Sequence, residues 1–150
     1  MNKFENFHLL NIKRLFLGIY PYREMGLLIL RIGIGIMFIL HGYPKIMGGP
    51  DDWAKLGIKG MGSVGIQSFH IFWGFMAAIS EFIGGILLAL GFLFRPALFF
   101  MFITMVFAAL SHITTGKGSP YYAIESGILL FSFMWIGPGY YSLDRKLFKN

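Results

Sequence analysis

Residues 69–92 read FHIFWGFMAAISEFIGGILLALGF. One charged side chain, Glu81, interrupts an otherwise apolar run. A membrane-spanning helix needs about 20 mainly apolar residues, so this stretch predicts a helix that crosses a bilayer. Gly74, Ala77, Ala78, Gly85 and Ala89 share a stripe with Glu81 at helical spacing. Small residues let membrane helices approach closely, so Glu81 belongs on a packing face, not on a lipid face.

Three more apolar blocks flank this one. Residues 25–42 are broken only by Arg31. Residues 96–112 open on Pro96, a residue well suited to a helix's first turn. Residues 121–136 carry Glu125 near their start. The last two blocks are short, and Tyr121, Tyr122, Trp135, Tyr140 and Tyr141 can anchor them at the membrane interfaces. The predicted fold class is therefore all-α: a polytopic membrane protein built as a four-transmembrane-helix bundle.

Composition agrees. Of 150 residues, 56% are hydrophobic and 13% charged, against about a quarter charged in soluble domains. There is no cysteine, which removes disulfides, thiolate metal sites and any dithiol relay. Any redox role must then rest on a cofactor, a quinone or a partner. The net charge of +6 sits mainly at the ends of the apolar blocks. That placement suits anionic lipid and topology, so no nucleic-acid partner is expected.

Three divisions follow. Residues 1–24 form an N-terminal segment in which Leu9, Ile12, Phe16 and Ile19 recur at helical spacing beside Lys13 and Arg14; this predicts an amphipathic helix lying in the interface. The two basic residues and the lack of a small-residue cleavage site argue against a secretory signal. Residues 25–144 form the membrane domain, and 145–150 a basic tail. A long glycine-rich loop, residues 43–68, is expected between the first two spans, either as a functional lid or as a passive cap. Lys3, Lys13, Arg14, Arg23, Arg95, Arg145, Lys146 and Lys149 fall on one side, and Lys45, Lys55, Lys59 and Lys117 on the other. The positive-inside rule then puts both termini in the cytoplasm and the long loop outside.

Ionisable groups within a bilayer are costly and usually face a bundle interior or cavity. The candidates are Arg31, His41, Glu81, His112 and Glu125, with Lys45 near the outer boundary. If His41 and His70 both mark that boundary, Arg31 lies roughly 15 Å below it and Glu81 about 16 Å. Opposite charges at one depth should pair, so an Arg31–Glu81 ion pair is expected, as a register pin or as part of a site. His41, His112 and Glu125 then gather towards the outside, with Tyr122 on the polar side of the fourth helix. A His, His and carboxylate set can bind a metal, but no tight ligand spacing such as HxxxH exists, and no metal is expected. The same groups can hydrogen-bond a quinone headgroup and exchange protons with it.

In order, Arg31 with Gly33, His41-Gly42 with Lys45, Glu81 with Gly84-Gly85, Arg95, His112, Glu125, Gly137-Pro138-Gly139 and Ser142-Leu143-Asp144 give a chain that resembles the DoxX family of bacterial and archaeal membrane proteins. The resemblance covers about residues 27–144. It implies a four-helix membrane bundle. It also implies a link to redox chemistry, since the family takes its name from an archaeal thiosulfate:quinone oxidoreductase and some members belong to oxidative-stress complexes. No haem-ligand pattern on paired helices supports a quinol oxidase role.

The leading expectation is a redox-associated subunit of the inner membrane, an oxidoreductase component acting with a partner protein. It would hold a quinone-like or other small ligand in the outer half of the bundle. Arg31, Lys45, Glu81 and Tyr122 are the candidate ligand-binding residues, and His41, Glu81, His112 and Glu125 the candidate catalytic ones. A non-catalytic assembly subunit, binding a partner redox protein or a second copy, is the main alternative. A small-solute or proton transporter is a third, weakened by the lack of an internal repeat.

Overall fold

The computed structural model describes residues 22–148, and every regular element among them is helical. The interfacial helix expected in the N-terminal segment, about Leu9, Ile12, Phe16 and Ile19, lies outside the described residues. The elements are α1 (Arg23–Met47), α2 (Gly49–Met61), a short 3-10 turn (Gly62–Val64), α3 (His70–Leu90), α4 (Phe94–Thr115), α5 (Tyr121–Ile136) and α6 (Leu143–Phe148).

Helices α1, α3 and α4 have the length and apolarity to cross a membrane; α5, at 16 residues, is apolar but shorter. Their outward faces expose large apolar side chains, among them Ile29, Leu40, Phe100, Ile128 and Trp135. So much exposed apolar surface is incompatible with water and suits lipid. The chain is a multi-pass membrane protein.

Glycine sets how the helices meet. A β-carbon on Gly35 would lie 2.7 Å from the Gly85 carbonyl oxygen, and one on Gly42 would lie 2.5 Å from the Phe82 amide nitrogen. Helices α1 and α3 therefore cross in backbone contact, with Gly35 beside Gly85 and Gly42 beside Glu81–Phe82. The small-residue stripe on α3 is a packing face, as its sequence predicts. Phe38, Leu88, Phe94, Leu98, Met101, Leu130 and Phe133, drawn from all four long helices, fill the core.

Chain punctuation follows the sequence. The backbone N–H groups of Gly91 and Phe92 donate to the Leu88 and Leu87 carbonyls and close α3. Gly91 takes a positive φ of 65° there, which glycine adopts without strain. Pro96 sits in the first turn of α4, where a missing N–H costs nothing.

The connection between α1 and α3 departs from expectation. Most of residues 43–68 is ordered as the last turn of α1, helix α2 and the 3-10 turn. Pro44 does not end α1, which continues to Met47. Gly49, at φ +75°, then turns the chain, and Pro50 starts α2. Helix α2 lies against α3, with Gly57 at the His70 backbone and Gly74 at the Trp53 backbone. Neither glycine leaves room for a side chain. Of the two forms expected for this glycine-rich connection, lid or cap, it is packed as a cap, and its glycines are contact points.

Candidate functional site

Glu81 is 3% exposed, on the face of α3 that meets α1. The Lys45 ammonium, one α1 turn beyond His41, lies 2.5 Å from a Glu81 carboxylate oxygen and donates to both oxygens. Lys45 is one-third exposed, so the pair runs from the bundle interior to its surface. The Trp53 indole N–H donates to the Lys45 backbone carbonyl at 2.9 Å. That bond fastens α2 over the last turn of α1 and fixes the stem from which Lys45 reaches inward.

Helix α5 completes the site. Tyr122 packs against His41, ring centroids 4.9 Å apart and planes tilted by 49°. Ser126 stands one turn further along the same helix, and Tyr122 lies near enough to Glu81 to feel its charge. Ammonium, carboxylate, phenol and imidazole thus come from α1, α3 and α5 to one region in the half of the bundle nearest α2. These groups can donate to a carbonyl-bearing headgroup and exchange protons with it.

Arg31 does not belong to this region, and the expected Arg31–Glu81 pair does not form. Arg31 is 2% exposed. Its guanidinium donates to three backbone carbonyls: Ala89 at 3.2 Å, Tyr141 at 2.7 Å, and Pro138. His41 and His70 do not mark one boundary, as the depth estimate assumed, because α1 runs on past His41 to Met47. With Gly35 beside Gly85, Arg31 stands level with Ala89, two turns of α3 beyond Glu81, while His70 projects past His41 towards α2.

His112 and Glu125 are also placed apart. The Ser80–Thr104 hydrogen bond, 2.9 Å, aligns α3 with α4 and puts Thr104 near the level of Glu81. His112 lies about 12 Å further along α4. There its Nδ1 is 2.6 Å from the Lys117 carbonyl, and its ring packs on Gly118. It closes the α4–α5 turn. Glu125 is exposed on α5 and makes no hydrogen bond or ion pair with the described residues. Among those residues no group of three or more His, Cys, Asp or Glu could hold a metal ion.

Sequence reasoning missed Trp53 as a support of Lys45. It also missed a cleft of about 320 Å³ between α1 and α2, lined by Pro44, Lys45, Asp52, Lys55, Leu56 and Lys59. Asp52 accepts from Lys55 at 2.7 Å and raises that ammonium's pKa above its ordinary value. A larger, open groove of about 620 Å³, lined mainly by Trp53, Phe69, His70, Phe72 and Phe75, runs beside α2 and the start of α3.

A protein-family model described as DoxX matches residues 26–113. An uncharacterized protein of Haemophilus influenzae is 33% identical over 137 residues, covering 86% of this chain and 96% of its own length. Inner membrane protein YqjF of Escherichia coli K12 is 33% identical, covering 85% of this chain and 95% of its own. Inner membrane protein YphA of the same organism is 32% identical, with 83% and 91% covered. No solved structure matches the chain at a significant level.

Proposed function

The chain belongs to the DoxX family, and from that footing we propose that it is an inner-membrane, redox-associated subunit that binds a quinone-like headgroup at the Lys45–Glu81 pair. The observation that carries this reading is the pair itself. A carboxylate 3% exposed, in ionic contact with a lysine of another helix and close to a tyrosine of a third, is costly unless it is well paired or used. Lys45 and the Tyr122 hydroxyl would donate to the ligand's carbonyl oxygens, and Glu81 would exchange its proton. His41, packed against Tyr122, would hold that ring in place. The chain has no thiol, so the electrons would come from a partner redox protein. The relatives' inner-membrane names support the location. The excess of Lys and Arg at the end carrying both termini and Arg95 supports four crossings with both termini in the cytoplasm.

The test is extraction of purified protein for bound quinone, with thermal stabilisation by quinone analogues. Wild type should carry quinone or be stabilised, and Glu81→Gln and Tyr122→Phe should weaken the effect. No bound quinone, and no shift with any analogue, removes the reading.

One observation favours an assembly role beside it. Glu125 presents a carboxylate with no partner among the described residues on the exposed face of an apolar helix, which lipid tolerates poorly. A partner protein or second copy would cover it. Crosslinking from a cysteine at position 125 should trap that neighbour in native membranes; labelling by lipid-soluble reagents alone excludes it.

A further inference from the structure

We propose that the end of the α3–α4 seam covered by α2 binds a small neutral hydrogen-bonding molecule, and that its occupant is water. Among the described residues, the buried atoms His70 Nε2, Trp73 Nε1 and Ser111 Oγ have no hydrogen-bond partner. Ser111 is 2% exposed. Buried polar groups in folded proteins are almost always paired, and an unpaired one is costly. Scattered over the fold, such atoms would be isolated faults. These come together at one place.

The register of α3 and α4 brings them there. The two helices run antiparallel through the short turn over residues 91–93. Thr104 donates to Ser80 at 2.9 Å, and the Met101 side chain lies 2.6 Å from where a β-carbon on Gly84 would be. Trp73 lies seven residues before Ser80, and Ser111 seven after Thr104. Seven residues make almost two full turns, about 10 Å of axis. Trp73 and Ser111 therefore return to the same seam and stand level, on opposite walls. His70, one turn before Trp73, shares its face. The seam between this level and the Ser80–Thr104 bond carries only the small side chains of Ala77 and Ala108. Helix α2 covers the end, with Gly57 against the His70 backbone. The indole and the hydroxyl are level yet not bonded to each other, so a third group is needed to join them.

The donor set selects the guest. An indole N–H only donates, a serine hydroxyl donates and accepts, and an imidazole nitrogen does one or the other according to tautomer. Water can accept from Trp73 and still serve both Ser111 and His70, the two or more polar partners a buried water requires. None of these groups carries a permanent charge, so an ion seated here would lack a counter-charge. His70, Trp73 and Ser111 take no part in the quinone reading, and either proposal can fail alone.

The test uses the full-length protein. A crystal structure from lipidic mesophase that resolves ordered water should show a density peak within about 3.2 Å of both Trp73 Nε1 and Ser111 Oγ. No such peak, or either atom bonded directly to another protein group instead, overturns the proposal. Thermal unfolding in detergent gives a second reading, whose sign separates the cases. If Ser111 holds water, Ser111→Ala removes a partner of that water and lowers the unfolding temperature by about 2–4 °C. If the hydroxyl is bonded to nothing, the same change deletes an orphaned polar group. An unfolding temperature that is unchanged or raised therefore also overturns the proposal.

Discussion

The Arg31 guanidinium hydrogen-bonds the Tyr141 carbonyl 2.7 Å away, joining α1 to the segment that follows α5. Two more carbonyls, of Ala89 and Pro138, take its remaining reach. The guanidinium spreads its donors over three nitrogens, and each serves a different carbonyl; an ammonium gathers its three donors on one nitrogen and cannot reproduce that spread. Arg31→Lys should therefore lose most of the stabilisation that Arg31→Ala loses, about 2–4 kcal/mol. Thermal unfolding in detergent reads this directly. A lysine variant as stable as wild type would contradict the clamp.

The Lys45–Glu81 pair makes a different prediction. Removing either partner leaves the other charge, or part of it, without its counterpart. Lys45→Met should cost roughly 3–5 kcal/mol, because Glu81 cannot reach water. Glu81→Gln should cost less, because Lys45 is one-third exposed and can turn outward. The double variant Lys45→Met/Glu81→Met should recover much of the loss, a coupling that a double-mutant cycle measures. Additive losses would mean that the two side chains act independently.

These two arginine and lysine partnerships also show how far the sequence could be read. The apolar blocks and the small-residue stripe were legible because lipid exposure and helix contact each leave a direct compositional mark. The partner of Glu81 was not. Charge pairing depends on register, and register depends on the Gly35–Gly85 and Gly42–Phe82 backbone contacts, which no hydropathy profile contains. Helix α2 was hidden for a related reason. Glycine is a poor helix former, so Gly49, Gly57 and Gly60 suggest a loop until Gly57 is found against the His70 backbone. Tyr122 and His41, both singled out in the sequence, meet across α1 and α5; His112, equally polar in sequence, closes the next turn instead.

The glycines of α1 can be ranked from this packing. A β-carbon on Gly33 meets nothing within 4 Å, whereas one on Gly35 presses on Gly85 and Ala89. Gly33→Ala should be neutral or slightly stabilising, since alanine is the better helix former by about 1 kcal/mol. Gly35→Ala should destabilise by roughly 1–3 kcal/mol through forced separation of α1 from α3. Equal responses at the two positions, in the same unfolding assay, would place the helix contact elsewhere.

Asp144 supplies the final case, in which a residue far along the chain starts an earlier helix. Its two carboxylate oxygens accept from the Leu93 and Phe94 amides at 2.8 and 2.9 Å, and its own N–H donates to the Gly91 carbonyl. The first amides of a helix have no intrahelical acceptor and carry the positive end of its dipole. A carboxylate there both bonds and neutralises them. Neither Leu93 nor Phe94 can cap the helix itself, and Leu93 adopts a positive φ of 44°, so the start of α4 relies on Asp144 to hold it. Asp144→Ala should cost about 1–2 kcal/mol. It should also speed hydrogen exchange at the Leu93 and Phe94 amides while leaving Trp53 and the Lys45 site protected. Asp144→Asn should fall between, keeping one acceptor but losing the charge. Exchange rates at Leu93 and Phe94 that do not change in Asp144→Ala would show that the turn closes without its C-terminal strap.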